Sequence, residues 1–227
     1  MKVPAKNKTA RSDSSQAGVS LVELFITLTI TLIILGLAFT LLARSLNTEV
    51  RQEKQASVLS DAAVGMGRMS EEIVNSGFGL RNNGIVAADS NEEQIRVRAN
   101  LNALKKQTTS NSVTDAAEDV LFQLTPSLTS GESCLIRMDA GPGTASILAY
   151  SVDNTDIDND GDGDGLTFTY LDGGGSQVSP DLAVRVTVTL RVKLPQVGTP
   201  GGPGYQPAVT RAVTQNIVLR NSNLNAY

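Results

Sequence analysis

VSLVELFITLTITLIILGLAFTLLA, residues 19–43, decides the fold. A bilayer core takes about 20 apolar residues of helix, and this run has 25. No charge interrupts it between Leu24 and Ala43. A head built from the rest of a 227-residue chain could hardly bury a helix that is apolar on every side. The run therefore reads as a membrane-spanning helix. Gly36 inside it fits either a local loosening or an ordinary glycine of a membrane helix.

The residues before the run, MKVPAKNKTARSDSSQAG, are polar. Lys2, Lys6, Lys8 and Arg11 against Asp13 give them a net +3, which leaves −7 to the rest of a chain whose total is −4. A secretory signal peptide would place an apolar core here and close it with small residues, and neither is present. By the positive-inside rule the leader stays cytoplasmic and the carboxy-terminal part is exported. Glu23 stands at membrane depth. A carboxylate there is costly and marks a functional position with a cationic partner. A plainer account is an interfacial residue at the helix start, where the helix dipole tolerates negative charge.

Helical spacing continues past Ala43 through Leu46, Val50, Leu59, Ala62, Ala63, Met66, Met69, Ile73 and Val74. Glu49, Arg51, Glu53, Lys54, Asp61, Arg68, Glu71 and Glu72 fill the gaps. No proline falls within 19–76, and Gly77 and Gly79 supply the stop. At about 1.5 Å per residue such a helix reaches on the order of 87 Å, which overruns one bilayer. Its first half belongs in lipid and its second on the head's own sheet.

Beyond residue 90 the pattern turns to strands, with candidates at 94–98, 119–124, 133–138, 146–152, 166–171, 182–194 and 209–220. From Leu182 to Leu194 the valines and leucines alternate with Arg185, Thr187, Thr189, Arg191 and Lys193, the period of a half-buried antiparallel strand. PQVGTPGGPGYQP, residues 195–207, is a hairpin loop, and 105–118 is a polar exposed loop. The expected fold class is α+β: a long amino-terminal membrane and stalk helix packed on an antiparallel β-sheet head.

Composition excludes several functions. Without histidine, Ser-His-Asp and Cys-His catalysis and the usual zinc ligand sets are absent. Only Asp/Glu chemistry would remain, so the chain reads as non-enzymatic. An acidic head argues against nucleic acid as a partner. The single Cys134, in Ser133-Cys134-Leu135-Ile136, reads as a small buried apolar residue of a strand. Hydrophobic residues at 41% with aromatics at only 4% predict a modest aliphatic core.

DNTDIDNDGDGDG, residues 153–165, is the densest acidic stretch. Asp156, Asp158 and Asp160 followed by Gly161 match the opening of an EF-hand loop, and Asp162 and Asp164 extend the series. Carboxylates at alternate positions suit calcium, which would relieve their mutual repulsion. The twelfth position of that register is Thr167 rather than a bidentate glutamate, so a strict EF-hand is not expected. The alternative is a solvated acidic turn without metal.

Gly18-Val19-Ser20-Leu21-Val22-Glu23-Leu24 resembles the class III leader motif of type IV prepilins and type II secretion pseudopilins, with Val19 in place of the usual Phe. The segment Arg68-Met69-Ser70-Glu71-Glu72-Ile73-Val74-Asn75-Ser76-Gly77-Phe78-Gly79-Leu80 is similar to the end of the stalk helix in the PilW family of minor pilins. Leu166-Thr167-Phe168-Thr169-Tyr170-Leu171-Asp172 and Ile217-Val218-Leu219-Arg220-Asn221 also look like that family, and GspJ-type pseudopilins are similar. The resemblance implies cleavage between Gly18 and Val19 by prepilin peptidase and N-methylation of Val19. It implies that Glu23 pairs with the new amine of a neighbouring subunit. The implied partners are other pilin or minor pilin subunits and the inner-membrane assembly platform.

The domains expected are a leader at 1–18, a transmembrane helix at 19–43, a stalk helix at 44–77 and an exported head at 78–227. The implied life history is an inner-membrane precursor that joins a pilus or periplasmic pseudopilus. The expected function is a minor pilin acting in assembly initiation or at the tip. A GspJ-like pseudopilin of type II secretion is the alternative, and a monomeric membrane-tethered protein that binds calcium or another ligand is the second.

Overall fold

The structure is a computed structural model that describes residues 20–102, 115–126, 133–202 and 204–222. The leader, Gly18, Val19 and most of the polar loop at 105–118 lie outside the described residues. Among the described residues one α-helix, α1 (Leu21–Val74), is followed by seven strands: β1 (Ile95–Arg98), β2 (Asp119–Pro126), β3 (Ser133–Asp139), β4 (Thr144–Val152), β5 (Leu166–Leu171), β6 (Arg185–Leu194) and β7 (Val209–Val218). The strands form one antiparallel sheet in the order β1-β2-β3-β4-β6-β5, with β7 also on β6. The chain is thus α+β, a long apolar amino-terminal helix joined to an antiparallel sheet.

The helix runs unbroken through Gly36, where the Thr40 hydroxyl donates to the Gly36 carbonyl at 2.7 Å. It ends at the glycine stop. Gly77 adopts φ +74°, and its N–H turns to the Arg98 carbonyl at 2.8 Å, which fastens the helix end to β1.

The second half of α1 lies against β4, β6 and β7. Ala62, Gly65, Met66, Met69 and Ile73 are buried at helical spacing. A methyl on Gly65 would stand 3.1 Å from the Leu148 carbonyl, so glycine lets the helix approach β4 closely. Nearer the apolar first half the covered face differs from the expected one. Leu46 and Val50 remain 52% and 41% exposed. The head meets that part of the helix through the β6–β7 loop, where Arg51 donates to Gln206 at 2.6 Å and Gly204 packs on Arg44 and Asn47. The loop's polar groups select the polar side of the helix and leave the apolar side uncovered.

In β6, Val186, Val188, Leu190, Val192 and Leu194 are buried and the intervening residues are half-exposed, as the period of two requires. The strand starts at Arg185 rather than Leu182 because Pro180–Leu182 form a 3-10 turn. β6 pairs with β7 along its whole length and with β5 over Arg185–Leu190, and meets β4 at Val152–Val192. Cys134 is a buried free thiol in β3. Phe122, Phe168 and Tyr170 anchor a core otherwise made largely of aliphatic side chains with Met66 and Met69.

Candidate functional site

The apolar first half of α1 is uncovered. An 18-residue window with mean hydropathy 2.5 is 0% buried, and the helix is long and apolar enough to cross a membrane. Its threonines bond their hydroxyls back to the helix's own carbonyls. Thr27, Thr29 and Thr31 donate to the carbonyls of Glu23, Phe25 and Thr27 at 3.0, 2.8 and 2.7 Å. Glu23 lies in the first turn, after Ser20 at the N-cap. Among the described residues no ion pair includes it.

The acidic loop is built from its own backbone. Asp156 accepts from the N–H groups of Asn159 and Gly161 at 2.7 and 3.1 Å, and Asp164 accepts from that of Ile157 at 2.7 Å. These bonds curl the chain so that Asp156, Asp158 and Asp164 each offer an oxygen, all within 4.8 Å of one another. Twice a calcium–oxygen distance of about 2.4 Å spans that separation, so the three fit one ion. Asp160 and Asp162 stand outside this group. Asp160 turns back to cap the Asp162 N–H at 2.9 Å. Thr167 lies in β5 opposite Thr189, so its ladder position keeps it from closing the loop as an EF-hand's last ligand would.

The crowding has an electrostatic signature. At Asp158 the hydrogen bond from the Asp160 N–H favours the charged form. Desolvation and the charges of Asp160, Asp164 and Asp156 outweigh it and raise the pKa above the ordinary carboxylate value. The loop's root is held by Asp153, which accepts from the hydroxyls of Thr155 (2.6 Å) and Thr210, and these bonds lower its pKa.

Two ion-pair clusters went unread in the sequence. Asp119 is fully buried and accepts from Arg96 at 2.7 and 2.8 Å and from Arg98 at 2.9 Å. Burial raises its pKa, but the two guanidiniums overcome that and hold it below the usual range. On the sheet's helix-facing side, Glu72 receives both Arg68 (2.9 Å) and Arg137 (2.8 Å). The alternating arginines of IRVR, residues 95–98, were the available sign that a carboxylate waited on the next strand.

Comparison of the chain with protein-family models, with curated proteins and with solved structures finds no match.

Proposed function

We propose that this chain is a type IV pilin-like subunit, a minor pilin of the PilW kind. In this reading prepilin peptidase cuts it between Gly18 and Val19, Val19 is N-methylated, and the exported subunit enters a filament at its start or tip. The observation that carries the reading is the division of α1. A membrane-length half stands uncovered, the other half is docked on the chain's own sheet, and a lone carboxylate opens the uncovered half. A helix exposed in this way is unsuited to water but suited first to lipid and then to the apolar helices of like subunits. Leu46 and Val50 extend that uncovered surface beyond the apolar run, at 52% and 41% exposure.

Glu23 supplies the register. Two opposite charges, each costly in lipid, attract strongly when they meet at low dielectric. An incoming subunit's amine at Val19 would settle against the Glu23 carboxylate of its neighbour. Assembly platform and neighbouring pilins are the partners this requires. Within the same reading the loop at 153–165 binds calcium through Asp156, Asp158 and Asp164, which stiffens the exported head.

The test is incorporation. In cells that assemble the filament, Glu23→Ala should insert in the membrane and be cleaved normally yet fall at least tenfold in sheared filaments. Wild-type recovery of Glu23→Ala in filaments would remove the pairing mechanism.

A further inference from the structure

The β6–β7 loop differs in charge from the rest of the head. Residues 194–210 hold no Asp, Glu, Lys or Arg, whereas residues 19–227 together carry −7. The loop also descends along α1. Gln206 accepts from Arg51 at 2.6 Å, and a methyl on Gly204 would already stand 3.1 Å from the Arg44 Cα. From Arg51 to Arg44 is about 10 Å along the helix axis, toward the apolar run. On the loop's other side, Gly198 lies beside Asn47. Between these contacts hangs the tip, with Thr199, Pro200 and Gly201 exposed.

Bilayer dimensions give this contact a depth. The uncharged run from Leu24 to Ala43 has 20 residues. That is about 30 Å of helix, the thickness of one hydrocarbon core. Headgroups add about 5–8 Å on each side, which takes in the helix to about residue 48. Arg44 and Asn47, on which the loop rests, fall inside that layer. Arg44 is exposed there, and a guanidinium matches the fork of a lipid phosphate. Tyr205, half-buried in the loop, is of a residue type enriched at this depth.

The loop's backbone is already paired for such a place. Val197 and Gln206 exchange N–H to carbonyl bonds at 3.0 and 2.9 Å. Gly202 N–H donates to the Thr199 carbonyl at 2.9 Å, and Tyr205 N–H to that of Gly202 at 3.2 Å. Leaving bulk water therefore strands few polar groups. With no carboxylate in the loop, none is set against the negative lipid surface.

We propose that the β6–β7 loop is a second membrane contact, seated in the phospholipid headgroup layer beside the exit of α1, with Arg44 on a lipid phosphate. The helix fixes where the chain crosses the bilayer, and the loop fixes the height and tilt of the head above it. The inference rests on the reading of α1 as membrane-spanning and is independent of the filament.

The experiment uses the full chain in vesicles of phosphatidylcholine and phosphatidylglycerol. The chain has no tryptophan, so single substitutions report cleanly. Thr199→Trp probes the loop tip. Ser176→Trp is the control, exposed in the turn beyond the opposite end of β6, about 33 Å of strand away. Leu35→Trp marks the hydrocarbon core. Lipid carrying a nitroxide on its headgroup should quench Thr199→Trp about twofold and leave Ser176→Trp unchanged, as a probe inside the headgroup layer requires. Lipid with the nitroxide on its acyl chain should quench Leu35→Trp. If Leu35→Trp is quenched while Thr199→Trp responds no more than Ser176→Trp, the loop stands clear of lipid, free for a neighbouring subunit, and the proposal is overturned. An unquenched Leu35→Trp would overturn the membrane reading of α1 itself and the proposal with it.

Discussion

Replacing Gly84 with alanine tests the joint between helix and sheet. Gly84 holds φ +78°, and a methyl there would drive into the Gly77 nitrogen and the Arg98 carbonyl, with the Gly77 Cα at 2.8 Å. Those are the two atoms of the hydrogen bond that ties the end of α1 to β1. The left-handed backbone alone costs an alanine about 1–2 kcal/mol. Parting the buried N–H from its acceptor adds about 1–3 kcal/mol. The sum of about 2–5 kcal/mol is a large share of a domain's stability and should lower the midpoint by about 4–20 °C. Gly143 is the control, because it has φ +68° and open space around its Cβ position. Gly143→Ala should lose only the backbone part, about 2–8 °C. The assay is thermal unfolding of the full chain in detergent, read through labelling of Cys134. Equal losses at the two positions would refute the claim that close contact between α1 and β1 fixes the joint.

Three other outcomes follow from the geometry. Asp119→Asn should destabilise the head by about 3 kcal/mol, since it strands two guanidiniums against a buried site. Asp119 has a folded pKa below its unfolded one, so its contribution is present above about pH 4 and is lost as the pH falls through the folded value. Acid unfolding should therefore be shallower below about pH 4 in Asp119→Asn than in the wild type, and an unchanged acid limb would count against the ion pair. Calorimetric titration of the wild-type chain should find calcium at the loop, and D156N/D158N/D164N should remove one equivalent. Asp160→Asn and Asp162→Asn should instead leave the stoichiometry intact, because those carboxylates stand outside the cluster.

The elements were legible where local chemistry decides them. An apolar run without proline, ended by Gly77, placed α1 to within three residues at either end, and alternation placed β6. The pairing of β6 with β4, β5 and β7 was not legible, since it depends on contacts far apart in sequence that no periodicity encodes. The face of the stalk that the head covers was also misread near Leu46 and Val50. Apolar spacing marked that face as buried, whereas the β6–β7 loop docks on Arg44, Asn47 and Arg51. In the acidic loop, alternation suggested five equivalent carboxylates. The turns made by Asn159 and Gly161, both at positive φ, bring only Asp156, Asp158 and Asp164 together. The burial of Glu118 and Asp139 carried no mark in the sequence, because burial of a carboxylate is a property of the assembled sheet.

The central claim, that the chain is processed as a prepilin, is tested most directly at its amino terminus. The full chain would be expressed with and without an active prepilin peptidase and its first residue found by mass spectrometry. The account predicts a terminus at N-methylated Val19 only when the peptidase is present. A chain that keeps Met1 through Gly18 beside active peptidase would contradict it and leave a tethered monomer with no partner for Glu23.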